Sequence, residues 1–422
     1  MAGELGTGLL RFAALVWVGR RLGPSQFGRV STGLVIGTWV VAFAHSGLAT
    51  IGTREVAADI EETPRILGEV VGVRLLLGAA SYALVAVVTL AAPLDRDLRW
   101  VVLGFGLSVF TVAADVRWLF VGIQSTRPVA VASVAASFVY LVAILVVVRS
   151  PGDLVLVPVA QVGTEALFAA LLVRESIRRF GTWRPRFQRA LVRSKLRPSL
   201  PINLTYGART LTISLDLVLI TVLLDPPQAG YYAAASRMTV LGILYLGLYY
   251  QAFLPSLVRA HAAGLEELRA VVGTAARRAA RFAVPGGILA TLAAAPVVRV
   301  LLGPRYEPTV VLLQVLVWSL VILALSGVYS MVILALKMHR RLAVNVGASL
   351  AVNVAANLAL LPTVGVLGAA YATIAAEATA LVLHYTAVRP VLGRGRDRAR
   401  GEVSSAAQEQ LDLLPPSGTQ GV

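Results

Sequence analysis

The chain has 422 residues, of which 57% are hydrophobic and only 14% are charged, and its formal net charge is +16. Soluble globular domains carry about 25% charged residues, so this composition, with a mean hydropathy of +0.77, excludes an ordinary soluble protein. The absence of cysteine excludes disulfides, thiolate metal sites and a cysteine nucleophile.

Apolar stretches long enough to cross a membrane recur along the chain. About 20 apolar residues form a helix that spans a hydrocarbon core of about 30 Å. The first stretch is short and stands at the N-terminus itself, so we expect no secretory signal before it and a natural start a few residues longer. We predict twelve spans, near residues 4–19, 32–53, 70–92, 100–121, 129–148, 154–173, 201–224, 231–258, 282–302, 308–336, 342–361 and 366–388.

Basic residues are concentrated in alternate connections between these spans. With twelve spans, the basic segments 174–200, 259–281, 337–341 and 389–400 all fall on one side of the membrane. The positive-inside rule places that side, and both termini, in the cytoplasm, so we predict a multi-pass protein of the cytoplasmic (plasma) membrane. Topology and attraction to anionic lipid headgroups account for the positive charge without a nucleic-acid partner.

The basic stretch in the middle of the chain divides the spans into six and six. We predict an N-terminal six-helix bundle over 1–173, a basic cytoplasmic connector over 174–200 and a C-terminal six-helix bundle over 201–388. The remaining residues, 389–422, are charged and then rich in Ser, Gln and Pro, which predicts a disordered cytoplasmic tail.

The two halves resemble each other in sequence. The loop Gln26-Phe27-Gly28 before the second span matches Gln228-Ala229-Gly230 before the eighth, and Glu165 aligns with Glu377 without gaps. Chance similarity between Ala- and Val-rich helices is the alternative explanation, whereas internal repeats are typical of transporters. The predicted fold is all-α and polytopic, with about twelve transmembrane helices. The two bundles would be related by a pseudo-two-fold axis along the membrane normal, with the substrate site between them.

Several polar and ionisable residues fall deep inside predicted spans. Insertion of each ionisable side chain into the membrane costs about 2.5–3.5 kcal/mol on insertion scales, so its presence there points to a structural or functional role. Those of the seventh span share one helical face, since they recur at three-residue and seven-residue steps. We predict that a substrate-binding cavity is lined by Arg11, Arg209, Asp216, Arg237, Asn203 and Tyr206.

Two glutamates lie in the sixth and twelfth spans. Glu165 and Glu377 are either ion-coupling residues, for H⁺ or Na⁺, or structural partners of buried arginines, and the sequence leaves both interpretations open.

Other polar residues have simpler interpretations. Arg74 and Arg117 lie near cytoplasmic ends, where long side chains reach the interface. A stripe at four-residue steps on the eleventh span favours hydrogen bonds between helices over a ligand site. The stripe consists of Asn345, Ser349, Asn353 and Asn357.

Arginines facing a wet cavity suit a phosphate-bearing anion, because the planar guanidinium donates to phosphate through two parallel hydrogen bonds. The ligand would be amphipathic or large if the cavity opens sideways to lipid. The four histidines are scattered without metal-ligand spacing, and no outer loop is long enough to carry a catalytic site. We therefore predict no enzyme, no catalytic residues, no metal and no cofactor.

Motifs in order along the chain are similar to those of the Wzx-type polysaccharide-biosynthesis flippases, which belong to the multidrug/oligosaccharidyl-lipid/polysaccharide (MOP) exporter superfamily. The similarity covers roughly residues 10–390, and the order and spacing of the motifs are more specific than any one of them. They are RLGPSQFG at 21–28, Asp216 followed by AGYYAAASR at 229–237, FLP at 253–255, LGPRY at 302–306 and GVLGAAYAT at 365–373.

The resemblance implies alternating-access movement of an undecaprenyl-diphosphate-linked glycan to the outer leaflet. It implies that cationic residues of the first, seventh and eighth spans line the cavity, here Arg11, Arg209 and Arg237. The implied partners are the lipid-linked glycan, membrane lipids and a coupling H⁺ or Na⁺, with the protein as a monomer. A drug/cation antiporter of the same superfamily, or a glycan polymerase or ligase, are the alternatives.

Overall fold

The computed structural model describes the backbone of residues 2–412. Side chains are described for residues 6–392 except 46, 189, 201–206, 208, 209, 212, 213, 241, 244, 248 and 251. The α-helices, in chain order, are α1 (Ala2–Ala58), α2 (Thr63–Ala91), α3 (Arg96–Gly106), α4 (Ser108–Ala114), α5 (Arg117–Gly122), α6 (Arg127–Val147), α7 (Leu156–Phe180), α8 (Arg189–Leu223), α9 (Pro226–Ala263), α10 (Leu265–Leu301), α11 (Thr309–Ala335), α12 (His339–Val364) and α13 (Val366–Asp412).

Within the described residues, ten helical segments are long and apolar enough to cross a membrane. The first of them, Gly6–His45, holds the first predicted span and the start of the second, because α1 continues through a kink at Gly23. The seventh predicted span corresponds to α8, in which the apolar stretch found among the described residues is Ser214–Leu223. The all-α, polytopic fold class is thus confirmed.

The kink in α1 follows from the dipeptide Gly23-Pro24. Gly23 has a φ of 74°, a backbone conformation that favours glycine because it lacks a Cβ atom. Pro24 supplies no N–H and disfavours helical geometry at the residue before it. The chain therefore turns at a single residue between the first two spans.

The fourth predicted span is broken into three helices, α3, α4 and α5. The break between α4 and α5 lies at Asp115, which has an extended backbone with ψ 114°. Its side-chain oxygen accepts from the backbone N–H of Arg117 at 2.8 Å, which satisfies one of the unpaired donors at the start of α5.

Burial differs sharply between spans. The most apolar segment, Arg127–Val147, is only 22% buried over its central window, whereas Gly6–His45 is 61% buried. Apolar residues exposed on a membrane helix face lipid, so α6 presents much of its surface to the bilayer while α1 is central.

By density of contacts the chain forms two compact units. Unit 1 comprises Met1–Arg237, Ala293–Leu312 and Asn357–Ala369; unit 2 comprises Met238–Leu292, Leu313–Ala356 and Ala370–Val422. These units cut across the bundles 1–173 and 201–388, which remain a prediction about internal symmetry. Unit 2 has its own apolar core, in which Leu257, Leu268 and Val332 are fully buried.

The disordered cytoplasmic tail over 389–422 stays a prediction. Helix α13 continues through Pro390 to Asp412, and 413–422 lie outside the described residues. Each residue added to an existing helix gains one hydrogen bond, and Arg, Ala, Glu and Gln are good helix formers. The charged composition therefore does not stop the helix.

Candidate functional site: a cationic cluster around Tyr140

Three of the predicted site residues lie in the neighbourhood of one tyrosine in unit 1. Arg11 of α1, Glu165 of α7 and Arg237 of α9 all lie within electrostatic range of the Tyr140 hydroxyl on α6. The Arg11 side chain is exposed, and the other three are partly exposed. Four separate helices thus bring two guanidinium groups, a carboxylate and a phenol together in the membrane-spanning part of the chain.

Glu165 is held in a defined position. The Thr111 hydroxyl donates to one carboxylate oxygen at 2.8 Å, and the Gln161 amide donates to the other at 2.6 Å. Two hydrogen bonds to neutral donors thus orient the carboxylate. Arg11 and Arg237 are nearby cations, so the cluster has one more positive than negative group.

Asp216 lies in a buried, hydrogen-bonded environment. It is 4% exposed, and its two oxygens accept from the Tyr232 hydroxyl at 2.7 Å and the Asn357 amide at 2.8 Å. These bonds connect α8 with α9 and α12 inside unit 1. Its assignment to a substrate cavity stays a prediction.

Three predicted cavity residues cannot be placed at the level of side chains. Asn203, Tyr206 and Arg209 belong to α8, but their side chains lie outside the described residues. Arg209 remains a sequence prediction on the same helical face as Asp216, two turns earlier.

Glu377 does not belong to the cluster around Tyr140. It lies on α13 in unit 2, partly exposed and within electrostatic range of the Tyr250 hydroxyl. Tyr250 itself donates to the backbone carbonyls of Leu323 and Ala324 at 3.0 and 3.1 Å. The two matched glutamates therefore occupy different units, and the ion-coupling role remains a prediction for both.

The polar stripe on α12 is buried at all four positions. Ser349 donates to the carbonyl of Ala376 at 2.8 Å, and Asn357 donates to Asp216. At these two positions the stripe makes hydrogen bonds between helices, as the sequence predicted.

The prediction for Arg74 was wrong. Arg74 is 3% exposed and donates to the carbonyl oxygen of Asp115 at 2.8 Å instead of reaching the interface. The break between α4 and α5 leaves that carbonyl without a helical partner, which gives the guanidinium a buried acceptor. Arg117 is exposed and pairs with the Asp115 carboxylate at 2.7 Å.

The sequence analysis missed Tyr140, although a signal was present. Ser133, Ser137 and Tyr140 recur at positions i, i+4 and i+7 of an otherwise aliphatic span, which places them on one helical face. Among the described residues, no group of three or more His, Asp or Glu side chains could hold a metal ion.

Comparisons with known proteins agree with this architecture. A solved multidrug resistance MATE family transporter of the MOP superfamily, in an inward-facing conformation, is 15% identical with a TM-score of 0.73, covering 93% of this chain and 96% of that one. The lipid II flippase MurJ, in an inward closed conformation, is 13% identical with a TM-score of 0.73, covering 92% and 87%. A MOP superfamily transporter from Pyrococcus furiosus is 14% identical with a TM-score of 0.56, covering 92% and 93%.

No curated protein matches the chain. Residues 1–261, which are more than half of the sequence, match the family described as "Polysaccharide biosynthesis protein". The chain therefore belongs to the polysaccharide biosynthesis protein family and has a fold shared with MOP superfamily transporters.

Proposed function

We propose that the protein is a flippase that moves an undecaprenyl-diphosphate-linked oligosaccharide from the inner to the outer leaflet of the cytoplasmic membrane by alternating access. The observation that carries the proposal is the pair of arginines, Arg11 and Arg237, within electrostatic range of Tyr140 in the membrane-spanning part of unit 1. Membership of a polysaccharide-biosynthesis family and a fold shared with a lipid II flippase support it.

The chemistry of the ligand explains why the site is cationic. An isolated charge moved into hydrocarbon costs tens of kcal/mol by Born solvation, so a diphosphate cannot cross without replacement of its water. Guanidinium groups bind phosphate oxygens through two parallel hydrogen bonds, and the tyrosine ring offers an apolar surface to a sugar. The polyprenyl chain can stay in the surrounding lipid while the headgroup passes through the cavity.

The proposal includes a topology and an energy source. Both termini and the basic connector lie in the cytoplasm, and a monomer carries out transport.

Glu165 or Glu377 couples the movement to H⁺ or Na⁺, and the hydrogen bonds from Thr111 and Gln161 favour Glu165. Collapse of the proton and sodium gradients with ionophores should then stop transport in vesicles, and unchanged transport would exclude ion coupling.

Substitution of the arginines tests the site. We expect Arg237→Ala, Arg11→Ala and Arg209→Ala to insert normally but to lose export of the lipid-linked glycan, measured as its accumulation in the inner leaflet. Arg281→Ala removes an exposed arginine of α10 and should export normally. Normal export by a well-expressed Arg209→Ala/Arg237→Ala double variant would contradict the site assignment.

A drug/cation antiporter is the second candidate, because the fold is shared with a multidrug resistance transporter. Acidic residues would then be expected to dominate the cavity, whereas the cluster has two arginines for one glutamate. Drug sensitivity of a deletion strain with normal surface glycan would favour the antiporter. A glycan polymerase or ligase is disfavoured because the turns on the proposed outer side are short.

A further inference from the structure

The two sequence-matched loops, Gln26-Phe27-Gly28 and Gln228-Ala229-Gly230, touch each other in unit 1. A Cβ atom on Gly28 would lie 2.5 Å from the carbonyl oxygen of Pro226 and 2.7 Å from the backbone N of Gly230. A Cβ atom on Gly230 would collide with the carbonyl oxygen of Pro24. Only glycine at both positions allows the start of α9 to lie directly against the kink of α1.

Tyr306, in the link between α10 and α11, packs against the same region. Its side chain is 1% exposed, and its hydroxyl donates to the carbonyl oxygen of Gly19 at 2.8 Å. Its ring meets Phe27 and Tyr231 edge to face, with centroids 6.2 and 6.3 Å apart. Edge-to-face aromatic pairs add stabilisation beyond the area that they bury.

Polar contacts surround this apolar centre. Arg20 donates to the carbonyl of Val300, and the Gln228 side chain accepts from the backbone N–H of Val366 at 3.3 Å. Residues from the outer ends of α9, α10 and α13 are thus bonded to α1 or to one another.

We propose that these contacts form an outer lock, which must separate each time the cavity opens to the outer side. The outer lock consists of Gly19, Pro24, Phe27, Gly28, Gly230 and Tyr306. This inference rests on the proposed function, whose topology defines which side of the membrane is the outer side. The contacts themselves lie within unit 1. The lock joins the first spans of one sequence repeat to the first spans of the other, so its opening is a separation of the two repeats.

The contacts of the lock are close backbone packing, ring contacts and a neutral hydrogen bond. Its centre is backbone packed on backbone with one buried tyrosine hydroxyl bond, and no ion pair between the described residues joins the two matched loops. Buried ion pairs would have to lose their water each time the lock closes, which is unsuitable for a contact made and broken in every cycle.

The absence of native cysteine makes a direct test available. Ser31→Cys places a single thiol on a residue that is 2% exposed, one turn beyond Gly28 on the same helical face. We measure how fast a membrane-impermeant maleimide, added to the outer side of intact cells, labels this thiol.

In the Ser31→Cys background, Gly230→Ala should raise the labelling rate by about tenfold or more, because the added methyl group prevents closure and shifts the population toward the open state. Gly286→Ala is the matched control, since a Cβ atom there meets nothing within 4 Å and the rate should not change. Alanine favours a helix more than glycine does, so an effect at Gly230 reports on the close approach and not on the helix itself.

Tyr306→Phe provides a second variant if Gly230→Ala is poorly expressed. It keeps the ring contacts and removes only the hydroxyl bond to Gly19, so we expect a smaller increase in labelling. Equal rates in the parent, Gly230→Ala and Tyr306→Phe would overturn the lock. Because labelling requires no substrate, a failure of the lock would be distinguishable from a failure of glycan export in the parent protein.

Discussion

Tyr140 is the tyrosine near which the charged residues of the candidate site lie. Its own helix, α6, offers the phenol hydroxyl little other polar surroundings. Helix α6 is the most apolar of the candidate spans. A phenol on such a helix needs a polar environment on one side, and the cluster of Arg11, Glu165 and Arg237 provides it.

Arg74 shows how a single side chain can depend on a backbone break. It is buried and donates to the Asp115 carbonyl, and removal of this donor leaves a buried acceptor without its partner, at a cost of about 1–3 kcal/mol. We expect Arg74→Gln to lower the midpoint of thermal unfolding in detergent by several degrees. Arg96→Gln, which changes an exposed arginine, is the control, and equal midpoints for the two variants would contradict this role.

At the scale of elements, the connector after α7 is fixed to the first helices. The backbone N–H of Arg186 donates to the carbonyl of Gly68 at 2.8 Å, and a Cβ atom on Gly68 would lie 2.5 Å from the carbonyl oxygen of Arg184. Lys195, at the start of α8, pairs with Glu55 of α1 and, at 3.2 Å, with Glu69 of α2. The basic segment therefore packs on α2 through backbone contacts and ion pairs.

This anchor predicts a measurable coupling energy. Lys195→Met removes one of the cations that pair with the Glu69 carboxylate, which is 5% exposed and keeps Arg65 at 2.9 Å, and we expect a loss of about 0.5–3 kcal/mol of unfolding free energy. The double variant Lys195→Met/Glu69→Met should recover part of that loss, because residues in contact couple by about 0.5–3 kcal/mol. Arg193→Met, at an exposed position of α8, serves as the control; additive effects of Lys195→Met and Glu69→Met in denaturant titrations would exclude the anchor.

At the scale of the whole molecule, the proposed topology is testable with single cysteines. Ser150, between α6 and α7, and Thr182, in the connector, are both exposed and are predicted to lie on opposite sides of the membrane. We expect an impermeant maleimide to label Ser150→Cys in intact cells and Thr182→Cys only after lysis. The reverse pattern would place the termini outside.

Sequence reasoning predicted the spans well because each is a long apolar run. It could not predict that Gly23-Pro24 joins two spans into one kinked helix, or that Asp115 divides the fourth span, because the apolar pattern continues through both. The site itself stays a prediction. Arg11, Arg237 and Glu165 were singled out by their cost inside a membrane, whereas Tyr140 was missed because a tyrosine in a span has no such cost.

The short connections described between helices have a practical consequence for the choice of reagents. On the side that we propose faces outward, α12 and α13 are joined by Gly365 alone, and the longest link between helices is 148–155. Such turns offer an antibody almost no protruding epitope and a protease almost no accessible bond. Conformation-specific binders should therefore be selected against the opposite face, where the segment 181–188 is accessible.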